Sequence, residues 1–325
     1  MKIYGTLGPA CADKDTLVKM INAGMNGIRL NLSHGMLDSF KDYLDALHDA
    51  ERICNTKIEL VIDMEGPELR IGRLEHPTCL ENGAEVCLGK DIPLAESITD
   101  QLEKGMVCMV DDGKIELEAM HRSEEGFVCK VVRGGILSSR KSFAVKDHDF
   151  AVALLTENDI TNLKKAKCAG VSAILQPFVR CGQDIVKVRR ALDELGCSEI
   201  RILAKIEDIH GIEHADEIID HADCVVFARG DLGNCIDMWL LPGYQKLIAK
   251  KCLAAGRPMV IATQLLASME AAPVPTRAEM NDIYNSALDG AYGLMLTGET
   301  AAGKYPARAI EYLAKAAAQG IKDRV

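Results

Sequence analysis

The chain has 325 residues, of which 48% are apolar, and a mean hydropathy of +0.02, so it is long and apolar enough to bury a sizeable core. The 38 Lys and Arg residues are outnumbered by 48 Asp and Glu, giving a net charge of −10, and no basic run favours nucleic-acid binding. No stretch reaches the ~18 uninterrupted apolar residues of a membrane span, and the first residues lack a signal peptide's apolar region. We therefore expect a cytoplasmic protein with no nucleic-acid or membrane partner.

The 12 cysteines include no CxxC pair, so neither a zinc ribbon nor a redox dithiol has its usual spacing. We expect reduced and mostly buried thiols.

Short β-branched runs alternate with longer amphipathic stretches along most of the chain. The runs predict eight strands, at 2–6, 27–31, 59–63, 172–176, 201–205, 224–228, 259–263 and 293–297. Helical patterns lie between most of them, for example at 14–23, 38–52, 157–169, 183–195, 211–221 and 240–255. Alternation of this kind predicts parallel strands with crossover helices, and eight repeats favour an α/β fold of the (β/α)8 TIM barrel type over an open doubly wound sheet.

The alternation stops between residues 68 and 149. Short runs at 85–88, 106–110, 114–119 and 127–132 are separated there by acidic, glycine-containing turns that suit hairpins. We predict a small all-β domain, 68–149, inserted after barrel strand 3, with 1–67 and 150–325 forming the barrel. Because barrel active sites lie at the C-terminal ends of the strands, a domain inserted there is expected to act as a lid.

Polar residues follow most of the predicted strands. Taken singly, each could be the N-cap of the next helix, but their recurrence at one barrel mouth predicts an active site. They are Arg29, Asn31, Asp63, Lys205, Glu207, Arg229, Asp231, Thr263, Gln264, Thr297 and Glu299.

One pair of these strand ends has the chemistry of a metal site. Lys205 and Glu207 are two residues apart, so on an extended strand their side chains point to the same side. Asp231 lies in a glycine-containing segment after the next strand, and two carboxylates suit Mg²⁺ that takes its other ligands from water and substrate. The alternative is an ordinary ion pair between Lys205 and Asp231.

The order of these motifs resembles that of the pyruvate kinase family over nearly the whole chain. No single motif decides the resemblance, but nine of them in the family's order do not arise by accident. The segments that carry it are 6–9 (TLGP), 29–35 (RLNLSHG), 66–70 (GPELR), 110–113 (VDDG), 205–207 (KIE), 228–233 (ARGDLG), 262–264 (ATQ), 275–279 (PTRAE) and 298–301 (GETA).

The resemblance implies transfer of phosphate from phosphoenolpyruvate to ADP, giving pyruvate and ATP. Arg29 then pairs with the phosphate, and Lys205 stabilises charge on the phosphoryl group in flight. The amides of Gly230 and Asp231 receive the substrate carboxylate. Thr263 binds substrate and assists proton delivery to the enolate.

Two metal ions and a proton relay are implied in the same way. Glu207 and Asp231 correspond to the Mg²⁺ ligands, and Thr297 stands where the family has a hydroxyl in a proton relay. The K⁺ ligands correspond to Asn31, Ser33, Asp63 and the carbonyl of Met64. Glu68 matches the acidic residue of K⁺-dependent members.

The resemblance also places ADP, or ATP as product, against residues of the second loop and the inserted domain. For two of these, His34 and Lys141, a helix-start cap and a solvated loop charge are the alternatives. The implied nucleotide-binding residues are Asn31, Leu32, Ser33, His34, Arg70 and Lys141.

Some positions depart from the family pattern, among them Glu65, Pro177 and Ala302. We expect these changes to affect nucleotide binding, lid closure and assembly more than the Mg²⁺ and phosphate site. The sequence ends at Val325, after the eighth expected helix, so we expect no C-terminal regulatory domain. The family uses the segment of Arg277 and Glu279 at a subunit interface, so a homo-oligomer is also an expectation.

Two other functions stay open at this stage. One is a divergent, non-catalytic paralogue that binds phosphoenolpyruvate or a related anion. The other is a different Mg²⁺-dependent barrel enzyme that forms an enolate, since enolate stabilisation needs only the metal and the lysine.

Overall fold

The computed structural model describes residues 1–66, 69–111, 113–146, 148 and 154–324, with only the backbone for Asn234. The domain boundaries predicted at 67/68 and 149/150 adjoin or fall within the segments outside this description. Contacts between Cα atoms divide the chain into two compact units, Met1–Gly66 with Leu154–Val325, and Pro67–Ala153.

The first unit contains a closed barrel of eight parallel strands in the order β1-β15-β14-β13-β12-β11-β3-β2. The predicted (β/α)8 barrel is confirmed, and each of its eight predicted strands is present within two residues at either end. The strands are β1 (Lys2–Leu7), β2 (Gly27–Asn31), β3 (Glu59–Asp63), β11 (Val171–Gln176), β12 (Arg201–Ile206), β13 (Cys224–Ala228), β14 (Met259–Ala262) and β15 (Gly293–Met295).

Helices connect successive strands, as the right-handed crossover of parallel strands requires. The helices of this unit are α1 (Lys14–Asn22), α2 (Lys41–Cys54), α4 (Glu157–Ala166), α5 (Gly182–Glu194), α6 (Ile209–Glu213), α7 (Ala215–His221), α8 (Arg229–Cys235), α9 (Leu241–Ala254), α10 (Arg277–Leu288), α11 (Gly298–Ala301) and α12 (Pro306–Lys322).

Three helices differ from their sequence predictions by more than one residue. The helix predicted at 157–169 ends at Ala166. The pattern at 38–52 begins as a 3-10 turn, Leu37–Phe40, before α2 starts at Lys41. The pattern at 211–221 is divided at His214, which ends α6 and precedes α7. Apolar spacing alone does not reveal such a break because the buried positions keep their helical period on both sides of it.

The second unit has a five-stranded antiparallel sheet, ordered β10-β6-β7-β8-β5, and a two-stranded sheet of β4 and β9. It also has one short helix, α3 (Glu96–Thr99), and a hydrophobic core of its own. Its strands are β4 (Thr78–Leu80), β5 (Glu85–Leu88), β6 (Val107–Val110), β7 (Ile115–Ser123), β8 (Gly126–Arg133), β9 (Gly135–Leu137) and β10 (Phe143–Val145). The sequence predicted β5 to β8 but missed β4, β9 and β10, each only three residues long.

All 12 cysteines are free thiols, and seven of them are buried. Within the described residues, no helix is long and apolar enough to cross a membrane.

The inside of the barrel is filled by side chains from strands around its circumference, Tyr4, Val61, Leu203 and Met295 among them. Tyr4 is 1% exposed, and its ring lies where a side chain on Gly27 of the neighbouring strand would be. A Cβ on Gly27 would stand 2.3 Å from two carbons of that ring. Glycine is therefore required at this position by packing.

We expect Gly27→Ala to destabilise the barrel by about 1 to 3 kcal/mol, because the clash can be relieved only by moving a buried ring or a central strand. Gly243→Ala is the matched control, since a Cβ there meets nothing within 4 Å and the residue lies inside α9. The control should be neutral or stabilising by up to about 1 kcal/mol. Urea unfolding of both variants measures the difference, and equal stabilities would contradict the packing argument.

Candidate active site

The ends of three barrel strands bring a carboxylate between two cations. Arg29 of β2 donates from Nε and Nη2 to Oδ2 of Asp63, at 2.8 and 2.5 Å. Lys205 of β12 places its Nζ 3.3 Å from Oδ1 of the same carboxylate. Asp63 is the last residue of β3, and its side chain is only 5% exposed. The barrel thus concentrates charge at the C-terminal ends of its strands, as the sequence predicts.

Lys205 also contacts Glu207, at 2.9 Å between Nζ and Oε1. The two residues lie on the same side of the chain, as their spacing predicts. Burial lowers the pKa of Lys205, but the carboxylates of Asp63 and Glu207 outweigh it and raise that pKa above its ordinary value. Lys205 is therefore held as a fully charged ammonium.

The pKa of Asp63 is shifted by the same neighbours. Burial raises it, but Lys205 and Arg29 together bring the pKa below its ordinary value. Asp63 consequently stays ionised and keeps both cations in place.

Glu207 behaves differently, although it touches the same lysine. Its Oε2 accepts a hydrogen bond from the amide of Phe178 at 2.9 Å, and the side chain is 1% exposed. Burial raises its pKa to about 8, because the charge of Asp231 adds to the effect and Lys205 compensates only in part. The pKa of Glu207 is thus shifted toward neutral pH, and a further cation close to it would lower that pKa again.

The donor set of Glu207 and Asp231 suits a divalent cation. A second positive charge beside them would relieve the repulsion that raises the pKa of Glu207. Across the described residues, no group of three or more His, Cys, Asp or Glu side chains gathers as a metal cluster. Two protein carboxylates with the other positions left to water and substrate oxygens are typical of Mg²⁺.

A second contact joins the segments after β13 and β14. The amide of Gly230 donates to Oγ1 of Thr263 at 2.8 Å. Thr263 itself has a φ of +72°, in the left-handed region that β-branched residues rarely adopt. With this backbone turn, the Thr263 hydroxyl lies against the start of α8.

Thr297 is connected to the same loop through a residue whose role the sequence did not reveal. Oε2 of Glu299 accepts the amide of Thr297 at 2.8 Å and its hydroxyl at 3.3 Å. Oε1 of Glu299 accepts the amide of Leu266 at 3.1 Å, and the residue is 1% exposed. A buried carboxylate therefore joins the loops that carry Thr263 and Thr297. The two-residue spacing of Thr297 and Glu299 is the sequence feature that could have indicated this contact.

The predicted K⁺ ligands lie near the ends of β2 and β3. Oδ1 of Asn31 accepts the amide of Ser33 at 3.1 Å and so caps the 3-10 turn Leu32–His34. Met64 is buried, and its amide donates to the carbonyl of Leu175 at 3.1 Å. Glu68 lies outside the described residues.

The remaining nucleotide-binding candidates, Arg70 and Lys141, belong to the second unit. Lys141 places its Nζ 2.7 Å from Oδ1 of Asp111, and the pair lowers the pKa of Asp111 against the effect of burial. Arg70 donates from Nη1 to the carbonyl of Arg140 at 2.9 Å. Arg70 and Lys141 are far apart in sequence, but the hydrogen bond to Arg140, which has a positive φ, brings Arg70 to the residue beside Lys141.

Glu65, which departs from the family pattern, is hydrogen-bonded to residues at the start of α4. Its carboxylate accepts from Oγ1 of Thr156 and from Nδ2 of Asn158, at 3.2 Å each. The backbone next to it is held by Asp159, which is fully buried and accepts the amides of Glu65 and Gly66 at 2.9 and 3.0 Å. The sequence did not single out Asp159.

Residues 1–310 match the family model described as the pyruvate kinase barrel domain. The chain belongs to the pyruvate kinase family. It is 37% identical to a pyruvate kinase of Aeropyrum pernix, with 99% of this chain and 71% of the relative covered. Pyruvate kinases of Chlamydia trachomatis and Geobacillus stearothermophilus are 34% and 35% identical over 95% of the chain, which spans 66% and 55% of their lengths.

The pKa of Glu207 predicts how the stability of the metal-free protein depends on pH. The unfolded chain releases this proton near pH 4.5, whereas the folded protein keeps it until about pH 8. The stability contributed by protonated Glu207 is therefore complete below pH 4.5 and is lost as the pH rises through about 8.

Glu207→Gln removes this titration while keeping an uncharged side chain of the same shape. With EDTA present, the free energy of unfolding of the original protein should fall, relative to the Gln variant, between pH 5 and about 8.5. Urea unfolding at several pH values measures this difference. Parallel curves would show that Glu207 is ionised throughout.

Proposed function

We propose that this chain transfers the phosphoryl group of phosphoenolpyruvate to ADP, producing pyruvate and ATP. The observation that carries the proposal is the position of Lys205, held between Asp63 and Glu207 beside Arg29. Phosphoryl transfer needs mainly positioning and positive charge, and this pair of buried cations supplies both. Family membership adds the reaction class.

Arg29 binds the substrate phosphate in this proposal. A guanidinium has five N–H donors, and Asp63 uses only Nε and Nη2 of Arg29, with Nη1 lying 3.3 Å from the hydroxyl of Thr6. The side chain is 14% exposed, so part of it is accessible from the barrel mouth. Asp63 thus orients Arg29 and leaves donors to recognise phosphate oxygens.

Glu207 and Asp231 hold Mg²⁺ in this proposal. When bound, the ion supplies positive charge to the oxygens of the substrate and of the transferring phosphoryl group. Asn31, Ser33, Asp63 and the Met64 carbonyl are proposed to hold K⁺.

Thr263 and Thr297 are assigned to substrate binding and to protonation of the enolate. Thr263 is held by the Gly230 amide, and Thr297 by Glu299. A substrate carboxylate that binds the amides of Gly230 and Asp231 competes with the Thr263 hydroxyl for the first of them. Substrate binding therefore releases that hydroxyl for a new contact.

The residues proposed to bind ADP are Asn31, Leu32, Ser33, His34, Arg70 and Lys141. The substrates are small dissolved metabolites, and we propose that the protein meets them in the cytoplasm. Assembly through the segment of Arg277 and Glu279 stays a prediction.

We expect Lys205→Met to lower kcat by about 10²- to 10³-fold, because the ammonium meets the charge that spreads over the phosphoryl oxygens in the transition state. The Kd for phosphoenolpyruvate should change far less, since Arg29 remains. The measurement is a coupled assay for pyruvate with phosphoenolpyruvate, ADP, Mg²⁺ and K⁺. Lys246→Met is the control, because Lys246 is an exposed lysine paired with Asp289 at 2.6 Å.

Unfolding of the same preparation of Lys205→Met separates catalysis from structure. Loss of stability with kcat intact would contradict the catalytic role. Binding of phosphoenolpyruvate without any pyruvate formation by the unaltered protein would identify a non-catalytic anion-binding paralogue instead.

Asp231→Ala should weaken Mg²⁺ binding by at least about tenfold, since one of two proposed carboxylate ligands is lost. Isothermal titration with MgCl₂ alone measures this without reference to turnover. Asp216→Ala, which removes an exposed aspartate paired with Lys251, is the control and should bind Mg²⁺ like the unaltered protein. Equal affinity in Asp231→Ala and the control would refute the metal assignment.

A further inference from the structure

The turn that follows β14 is strained at two successive residues. Thr263 and Gln264 have φ values of +72° and +53°, and neither is glycine. A non-glycine residue in this left-handed region costs of the order of 1 to 3 kcal/mol, so such a turn persists only where its surroundings enforce it. Because β14 ends at Ala262, the carbonyls of both residues also lie beyond the last residue of the strand.

Arg229, the first residue of α8, supplies donors to both carbonyls. Its Nε and Nη2 lie 3.1 and 2.8 Å from the carbonyl oxygen of Thr263, and Nη2 is also 3.0 Å from that of Gln264. Its Nη1 donates to Asp282 of α10 at 2.7 Å, and only 10% of the side chain is exposed. The guanidinium therefore holds the strained backbone on one side and is itself held on the other.

The residue after Arg229 completes the arrangement. The Gly230 amide donates to Oγ1 of Thr263 at 2.8 Å, so the same segment fixes both the backbone and the hydroxyl of Thr263. A displacement of about 1 Å in a reacting group costs up to about 10²-fold in rate. The position of this hydroxyl thus depends on the contact between Arg229 and the turn.

We propose that Arg229 is a positioning residue for the reaction: it holds the left-handed turn at Thr263 and Gln264 so that the Thr263 hydroxyl serves proton delivery to the enolate. The inference rests on the role given to Thr263 under the proposed function. Arg229 acts only through Thr263 and does not touch substrate. A lysine cannot replace it, because an ammonium lacks the planar fork that reaches two carbonyls and a carboxylate together.

The test is a double-mutant cycle of Arg229→Lys and Thr263→Ala. We expect Arg229→Lys to lower kcat by about 10- to 100-fold. The double variant should lose no more activity than Thr263→Ala alone, because without the Thr263 hydroxyl Arg229 has no group left to position. Losses that multiply in the double variant would overturn the proposal and leave the proposed function standing.

A second readout isolates the proton step from phosphoryl transfer. In D₂O, pyruvate bound to the protein exchanges its C3 hydrogens: the C3–H bond breaks, the proton passes to solvent, and a deuteron adds to the same carbon. NMR follows this exchange directly. Arg229→Lys should slow it by about the same factor as kcat, whereas Lys205→Met should slow phosphoryl transfer more than proton exchange.

Arg189→Lys is the matched control, because Arg189 has the same kind of contacts far along the chain from Thr263. Its Nη1 donates to the carbonyls of Ser198 and Ile200 at 3.1 and 2.8 Å, and its Nη2 to Asp223 at 2.5 Å. The control should lose stability without any change in the proton exchange of pyruvate. A similar loss of exchange in both lysine variants would reduce Arg229 to a structural role and overturn the proposal.

Asp282→Asn gives a milder variant in case Arg229→Lys does not fold, since it keeps every guanidinium donor and weakens only the anchor. It should reduce kcat by about threefold to tenfold and should show no further loss in combination with Thr263→Ala. Amide hydrogen exchange of residues 259–266 should rise in both the Arg229 and Asp282 variants. Unchanged amide exchange would show that the turn does not need Arg229 to hold it, and would overturn the proposal. Wild-type turnover in Thr263→Ala would overturn both the proposal and the role of Thr263.

Discussion

The mouth of the barrel depends on one buried carboxylate between two buried cations. Removing Asp63 would leave Arg29 and Lys205 close together in a site that screens charge poorly, and an uncompensated buried charge is strongly destabilising. The carboxylate lies at the end of β3, which is next to the strand of Arg29 and is separated from the strand of Lys205 by β11. The barrel therefore keeps two positive charges closer together than they would stay on a solvent-exposed surface.

Strain at the strand ends is the second constraint on this mouth. Phe178 and Thr263 each follow a barrel strand and each have a positive φ. At both positions the backbone is held by a buried group, since the Phe178 amide donates to Glu207 and the Thr263 carbonyl accepts from Arg229. The irregular backbone and the charged side chains thus stabilise each other, which agrees with the clustering of such strain at functional sites.

The barrel could be predicted from the sequence because its strands and most of its connecting helices have their own periodicity, and eight repeats of one pattern exclude most alternatives. That Lys205 and Glu207 point to the same side could also be predicted, because a two-residue spacing on a strand fixes the relative direction of side chains. The roles of Asp159, Arg229 and Glu299 could not be predicted, since each binds backbone amides or carbonyls far away in sequence. Such contacts have no local sequence pattern, and they depend on where the loops meet in three dimensions.

The opposite pKa shifts of Asp63 and Glu207 explain how one site can hold both substrate and metal. The raised pKa of Glu207 favours its protonated form in the metal-free site, where the charges of Arg29 and Lys205 face those of Asp63 and Asp231. In the proposed function, a divalent cation takes the place of the proton on Glu207, so two positive charges arrive and one negative charge appears. The site then carries a net positive charge, and phosphoenolpyruvate is an anion. Metal binding therefore makes this group of side chains more attractive to the substrate, and the raised pKa of Glu207, caused by burial and by the charge of Asp231, limits the negative charge of the metal-free site.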